Sequence, residues 1–167
     1  MLARAGYRPL ILERGEAVEE RSRKVAAFWA RGPLDPNSNV QFGEGGAGTF
    51  SDGKLNTLVK DKTGRNRKVL ETFVEFGADP AILYQAKPHI GTDVLYGIVR
   101  SMREEIQRLG GEVRFSSQVT GLILRNGQAE GVHLKSGEAI SSPAIVLAIG
   151  HSARDTFYSL NSQGIPM

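Results

Sequence analysis

Met1-Leu2-Ala3-Arg4-Ala5-Gly6-Tyr7-Arg8-Pro9-Leu10-Ile11-Leu12-Glu13 opens the chain and decides how the rest is read. Residues 1–6 read as the last turn of a helix, leaving through a glycine, the residue that best tolerates a left-handed exit. Leu10-Ile11-Leu12 is a short apolar run without polar alternation, the pattern of a parallel strand covered on both faces. A helix end running straight into such a strand implies an earlier strand, so a piece of a longer chain is expected. The turn signal at the other end, Gly164-Ile165-Pro166-Met167, carries the same expectation.

Working outward, residues 17–30 place Val18, Val25, Ala26 and Phe28 among charged side chains, and Gly32-Pro33 stops the helix they predict. Asp35, Asn37, Ser38 and Asn39 form a turn cluster. A second helix is predicted over 67–76. A longer one, capped by Thr92, carries Leu95, Val99, Met102, Ile106 and Leu109 at three- and four-residue steps. Beyond Gly110-Gly111 the pattern turns to β. Residues 112–115 alternate, and Asn126-Gly127 and Ser136-Gly137 separate strand-like runs, which predicts an antiparallel meander over about 112–142. Residues 144–149, Ala-Ile-Val-Leu-Ala-Ile, make a second apolar run that should be another buried strand. The expected fold is α/β: one incomplete domain, residues 1–167, with a mainly parallel sheet and an antiparallel meander.

Composition excludes several functions. The 167 residues include 21 basic and 18 acidic side chains, a net charge of +3, which is a mild field. The basic residues over 60–68 have no interleaved aromatics for base stacking, so no nucleic-acid partner is expected. No cysteine is present, which removes disulfides, cysteine-ligated metals and thiol nucleophiles. No apolar run is long enough to cross a bilayer, and Arg4 and Arg8 interrupt any leader. The expectation is a cytoplasmic protein without a membrane partner. His89, His133 and His151 share no metal-like spacing. His151-Ser152 with Asp155 lacks the nucleophile elbow and the separation in sequence that a triad needs.

The least generic stretch is residues 40–55, where five of the chain's 20 glycines fall within eleven positions (43–53). Gly43-Glu44-Gly45-Gly46-Ala47-Gly48 fits G-x-G-x-x-G, but Phe50-Ser51-Asp52-Gly53 follows as a turn where that motif needs a helix. Residues 48–54 fit most of a phosphate-binding P-loop, but Leu55 stands where Ser or Thr should hold magnesium. What remains is a loop whose exposed N–H groups could gather on an anion or a flat ring, with Lys54 as a cation, or else a surface loop that binds nothing. Glu13 sits at the carboxyl end of an apolar strand, where ligands collect in open α/β sheets, and could accept from both ribose hydroxyls. The alternative is a solvated glutamate at a strand end. Gly150, ending the second apolar run, could let a ligand approach the backbone.

In this order, residues 2–15, 42–57, Lys87-Pro88-His89-Ile90-Gly91-Thr92-Asp93 and 145–157 resemble the FAD-dependent dehydrogenases of the two-dinucleotide-binding-domain flavoproteins. The resemblance implies a partial Rossmann-like FAD/NAD(P)-binding domain and FAD as cofactor of a flavin-dependent oxidoreductase, with NAD(P)H a candidate electron donor. It implies cofactor contacts at Glu13, Arg14, Gly45, Gly46, Gly48, Thr49, Ser51, Gly53, Lys54, Val119 and Gly150. Glu13 would hold the adenosine ribose and the backbone at Val119 would face the adenine. It names no catalytic residue, no metal and no substrate beyond a small molecule. The family's pyrophosphate fingerprint has no counterpart in these residues. A second expectation is therefore kept: a non-catalytic nucleotide- or anion-binding fragment that needs a partner strand to fold, and that self-associates through an exposed sheet edge.

Overall fold

The computed structural model describes residues 1–51, 53–55, 60–85 and 87–165. Asp52 and residues 56–57 of the 42–57 block, and Pro166-Met167 of the tail, lie outside the described residues. The architecture is mixed α/β, with a small parallel sheet and a three-stranded antiparallel sheet. A 3-10 turn, Ala3–Ala5, ends on Gly6 in the left-handed region (φ 83°). The apolar run becomes β1 (Leu10–Leu12). Next come α1 (Val18–Trp29), α2 (Arg65–Glu75) and α3 (Thr92–Arg108). Then β2 (Glu112–Arg114) returns to lie parallel to β1, pairing Leu10 with Glu112 and Leu12 with Arg114. The Glu112 N–H donates to the Pro9 carbonyl and the Glu13 N–H to the Arg114 carbonyl, both at 2.9 Å.

The meander is β3 (Val119–Arg125), β4 (Gln128–Leu134) and β5 (Ala139–Ser141), antiparallel and in sequence order. Asn126 and Gly127 both take positive φ, 52° and 75°, the pair of values that a two-residue hairpin with right-handed twist requires. Finally α4 (Arg154–Ser162) packs on β3. Two cores result. Ala78, Ile82, Ile90, Leu95 and Ile98 form one among the helices. Leu122, Val132, Leu134 and Leu160 form the other under the meander, with Leu12, Val119, Ile145 and Ile165 against it. Among the described residues no helix is long and apolar enough to cross a membrane.

Four expectations need correction. Residues 112–114 do not belong to the meander, because their partner is β1; the antiparallel sheet spans 119–141. The sheet is not mainly parallel: the described strands form one parallel pair and an antiparallel trio. Thr92 does not cap α3. Gly91 holds the cap position, and the Thr92 hydroxyl donates to the Ser51 carbonyl at 3.1 Å, joining the helix to the glycine loop instead. Residues 144–149 form no strand. Apolar side chains alone do not make a strand: backbone groups need a ladder partner, and this run has none among the described residues.

Candidate functional site

The carboxyl end of β1 opens into a cleft of about 400 Å³, lined on one side by Arg14, Gly15 and Glu16 and on the other by Ser116 and Gln118. Lys24, Asn37 and Lys135 border it. Glu13, one residue before that lining, ties the strand end to the glycine loop. Its Oε1 accepts from the Gly15 N–H at 2.8 Å and from the Gly43 N–H at 3.1 Å. Gly15 is obligatory here: a Cβ would run into the backbone of Gly43 and the Asn37 carbonyl. Glu13 Oε2 has no hydrogen-bond partner among the described residues and keeps its accepting capacity.

The loop itself is wound around one guanidinium. Arg21 of α1 is fully buried. Its Nε donates to the Asn39 carbonyl at 2.8 Å, Nη1 to those of Gly43 and Glu44, and Nη2 to that of Gly46 at 2.9 Å. It also lies over the Phe50 ring, 4.7 Å from its centre. Burial pulls its pKa down to about 10, against the opposing pull of Glu13 and Glu44, so it stays charged at neutral pH. Four carbonyls turned inward on one cation fix the path of residues 39–46. Glu44 completes the arrangement: its Oε2 accepts from the Val18 N–H at the start of α1 and from Arg103 at 3.0 Å. Burial holds the Glu44 carboxyl above its usual range, although the Val18 N–H and Arg103 oppose that. Arg103 also pairs with Glu19 at 2.6 Å and thereby lowers the Glu19 pKa.

Arg14 stacks over Phe42 at 4.6 Å and donates to both carboxylate oxygens of Asp155, at 2.7 and 2.6 Å. Gln118 donates to the same carboxylate. Burial raises the Asp155 pKa, but the bond to Arg14 and the Thr156 N–H outweigh it and hold the group ionised. Beside the cleft, Lys24 bridges Glu16 and Asp35 at 2.7 Å each, and those bonds push its ammonium up to about 12. Two buried oxygens on the cleft residues, Glu16 Oε2 and Gln118 Oε1, have no hydrogen-bond partner among the described residues. Buried polar atoms are nearly always paired, by protein groups or by water, so both oxygens have spare accepting capacity.

The expected site residues therefore divide. Arg14 lines the cleft; Glu13 precedes it in the chain without lining it, and Val119, next to the lining residue Gln118, packs on the meander core instead. Gly45 (φ 83°) is closed in by Thr49 and Val99, whereas Gly46 (φ 64°) and Gly48 face open space. Thr49 is buried with its hydroxyl unpartnered among the described residues, and the Ser51 hydroxyl donates to the Gly48 carbonyl at 3.0 Å. Gly53 (φ 67°) lies against the Ile90 carbonyl, and Lys54 bridges His89 in antiparallel fashion, so these two belong to the α3 side. Gly150 lines a separate apolar cleft of about 370 Å³ with Leu147, Phe157, Leu160 and Ile165. Arg21, Glu44 and Arg103 escaped the sequence reading. The signal for Arg21 was its place on the helix face between Val18 and Val25, three and four residues away, where an apolar residue belongs.

No family model matches the chain. An uncharacterized protein of Clostridium beijerinckii is 49% identical over 166 residues, which covers 99% of this chain. The chain spans 31% of the length of that relative.

Proposed function

We propose that these residues form the adenosine-binding part of a partial Rossmann-like domain in a cytoplasmic, FAD-dependent oxidoreductase. The observation that carries this reading is Glu13 at the end of a parallel strand, running directly into Arg14, Gly15 and Glu16, which line an open cleft. An acidic group at that edge of an α/β sheet suits ribose hydroxyls, and a volume of about 400 Å³ falls in the usual range for ligand sites. The donor set fits: adenosine offers two ribose hydroxyls and an exocyclic amine. Glu13 Oε2, Glu16 Oε2 and Gln118 Oε1 are accepting oxygens without hydrogen-bond partners among the described residues. Glu13 would hold the ribose, Arg14 and the backbone near Val119 would flank the adenine, and the loop Gly45, Gly46, Gly48 would lie toward the flavin. Bound FAD would supply the hydride chemistry, with NAD(P)H the candidate donor. These residues only bind and orient it. The substrate is a small molecule.

The test uses two proteins, the 167-residue chain and the full-length clostridial relative, each titrated with FAD. The chain should bind weakly, while the relative should purify yellow or acquire a flavin absorption band on reconstitution. A well-folded relative that stays colourless with FAD in excess overturns the proposal.

A further inference from the structure

The chain gathers its surplus positive charge in one place. Residues 60–68 hold five of the 21 basic side chains, Lys60, Lys62, Arg65, Arg67 and Lys68, and one of the 18 acidic ones, Asp61. The other residues hold 16 basic and 17 acidic side chains and are slightly acidic as a set. All six charged residues of the stretch are exposed, on the turn before α2 and on its first turn. Elsewhere cations are matched: Arg4, Arg14, Lys24, Arg103 and Arg114 each hold a carboxylate. Lys60, Lys62, Arg65 and Lys68 make no ion pair among the described residues. The neighbouring acids are engaged. Asp61 accepts from the Arg67 N–H at 2.9 Å, Glu71 pairs with Arg67 at 3.1 Å, and Glu75 pairs with Arg4 at 2.7 Å.

Folding does not ask for this arrangement. The first turn of α2 holds no acid and carries Arg65, Arg67 and Lys68 instead, at the end of a helix where the dipole favours anions. Asp61 already takes the Arg67 amide, so the surface offers side-chain charge rather than free helix N–H groups. Arg65 and Lys68, three residues apart, share a face. Leu70, Phe73 and Val74 turn the other way, into the helical core. Apolar surface borders the cations: Val69 is 41% exposed, and Arg67 Nη1 donates at 3.1 Å to the carbonyl of Leu83, whose neighbour Tyr84 is 79% exposed.

We propose that Lys60, Lys62, Arg65 and Lys68, with Tyr84 at their border, form a docking surface for the acidic face of a partner protein. Charge complementarity selects the sign: cations that repel one another gain most from facing carboxylates, which also speed the encounter. Tyr and Arg are the side chains that anchor protein interfaces, and both occur here. A nucleic acid would call for aromatics interleaved with the cations for stacking, and residues 60–68 contain none. A bilayer would call for an apolar helix face to insert, and that of α2 is used in the core. The inference does not depend on the nucleotide reading.

The test is fluorescence anisotropy of the 167-residue chain with a labelled peptide rich in Glu and interspersed with Leu, at low ionic strength. Lys62→Gln, Arg65→Gln and Lys68→Gln together should weaken binding about tenfold or more. Arg8→Gln, Arg31→Gln and Arg154→Gln together remove the same charge from exposed sites elsewhere, and should change it by less than about twofold. Tyr84→Ala should weaken binding about threefold or more. The proposal falls if the peptide does not bind, or if Tyr84→Ala has no effect. It falls if the two triple variants weaken binding equally, which would make the attraction one of net charge alone. It also falls if a single-stranded oligonucleotide or phosphatidylserine vesicles bind more tightly than the peptide.

Discussion

Leu10–Leu12 and residues 144–149 are runs of the same apolar kind, yet one is a strand and the other is not. Leu10–Leu12 has β2 beside it, and its end is tied by Glu13 to the glycine loop. The later run touches the meander core through Ile145 but leaves Val146 in solvent. The difference lies in partners, not in composition: a strand is a property of two segments at once, and hydrophobicity specifies only one of them.

The sharpest way to break this contrast is Ile11→Pro. It removes the N–H that faces β2, and should cost about 3 kcal/mol or more, read as a fall in the urea midpoint. A small effect would mean the parallel pair holds little of the fold. Next is Arg21→Met, which leaves four carbonyls, two of them on buried residues, without their donor. A loss of about 2–3 kcal/mol is expected in the same measurement, and unchanged stability would show that the loop needs no central cation. Third is acid. The pKa values of Glu19, Asp35 and Asp155 are lowered in the fold, by Arg103, by Lys24, and by Arg14 against burial respectively. Groups with depressed folded pKa values stabilise above their unfolded values, and that stability is lost as pH falls through the folded ones. The urea midpoint should therefore hold near neutral pH and decline below about pH 4. A midpoint flat down to pH 3 would contradict these pairings. The smallest effect belongs to Val146→Asp. At so exposed a site it should change stability by less than about 0.5 kcal/mol, whereas a buried strand position would cost several.

Much of the fold could be read from local signals. The glycine exit at Gly6, the three long helices, and the Asn126-Gly127 hairpin each rest on a residue whose conformational preference decides its neighbourhood. The elements that were missed depend on tertiary partners. α4 is built largely from Thr, Phe, Tyr, Ser and Asn, weak helix formers, and is held by Leu160 in the meander core. The parallel partnership of 112–114 with β1 joins segments about a hundred residues apart, beyond the reach of any window. At the site, Glu13 was legible because it stands at the carboxyl end of an apolar run, the edge where ligands collect in α/β sheets. Arg21 was not, since an arginine in an amphipathic helix reads as surface until its carbonyl partners are known. The cleft's wall from Ser116 and Gln118 follows from the same long-range pairing.

Gln163 carries one more consequence. Its amide gives and takes a hydrogen bond at a single residue of β3, like a borrowed peptide unit, and so fastens α4 to the hairpin rather than merely packing it there. Fraying of that helix from its C-terminal end breaks the Gln163 bonds to Leu122. Helix and hairpin should therefore open and close as one cooperative foldon, their slow-exchanging amides sharing a common opening free energy.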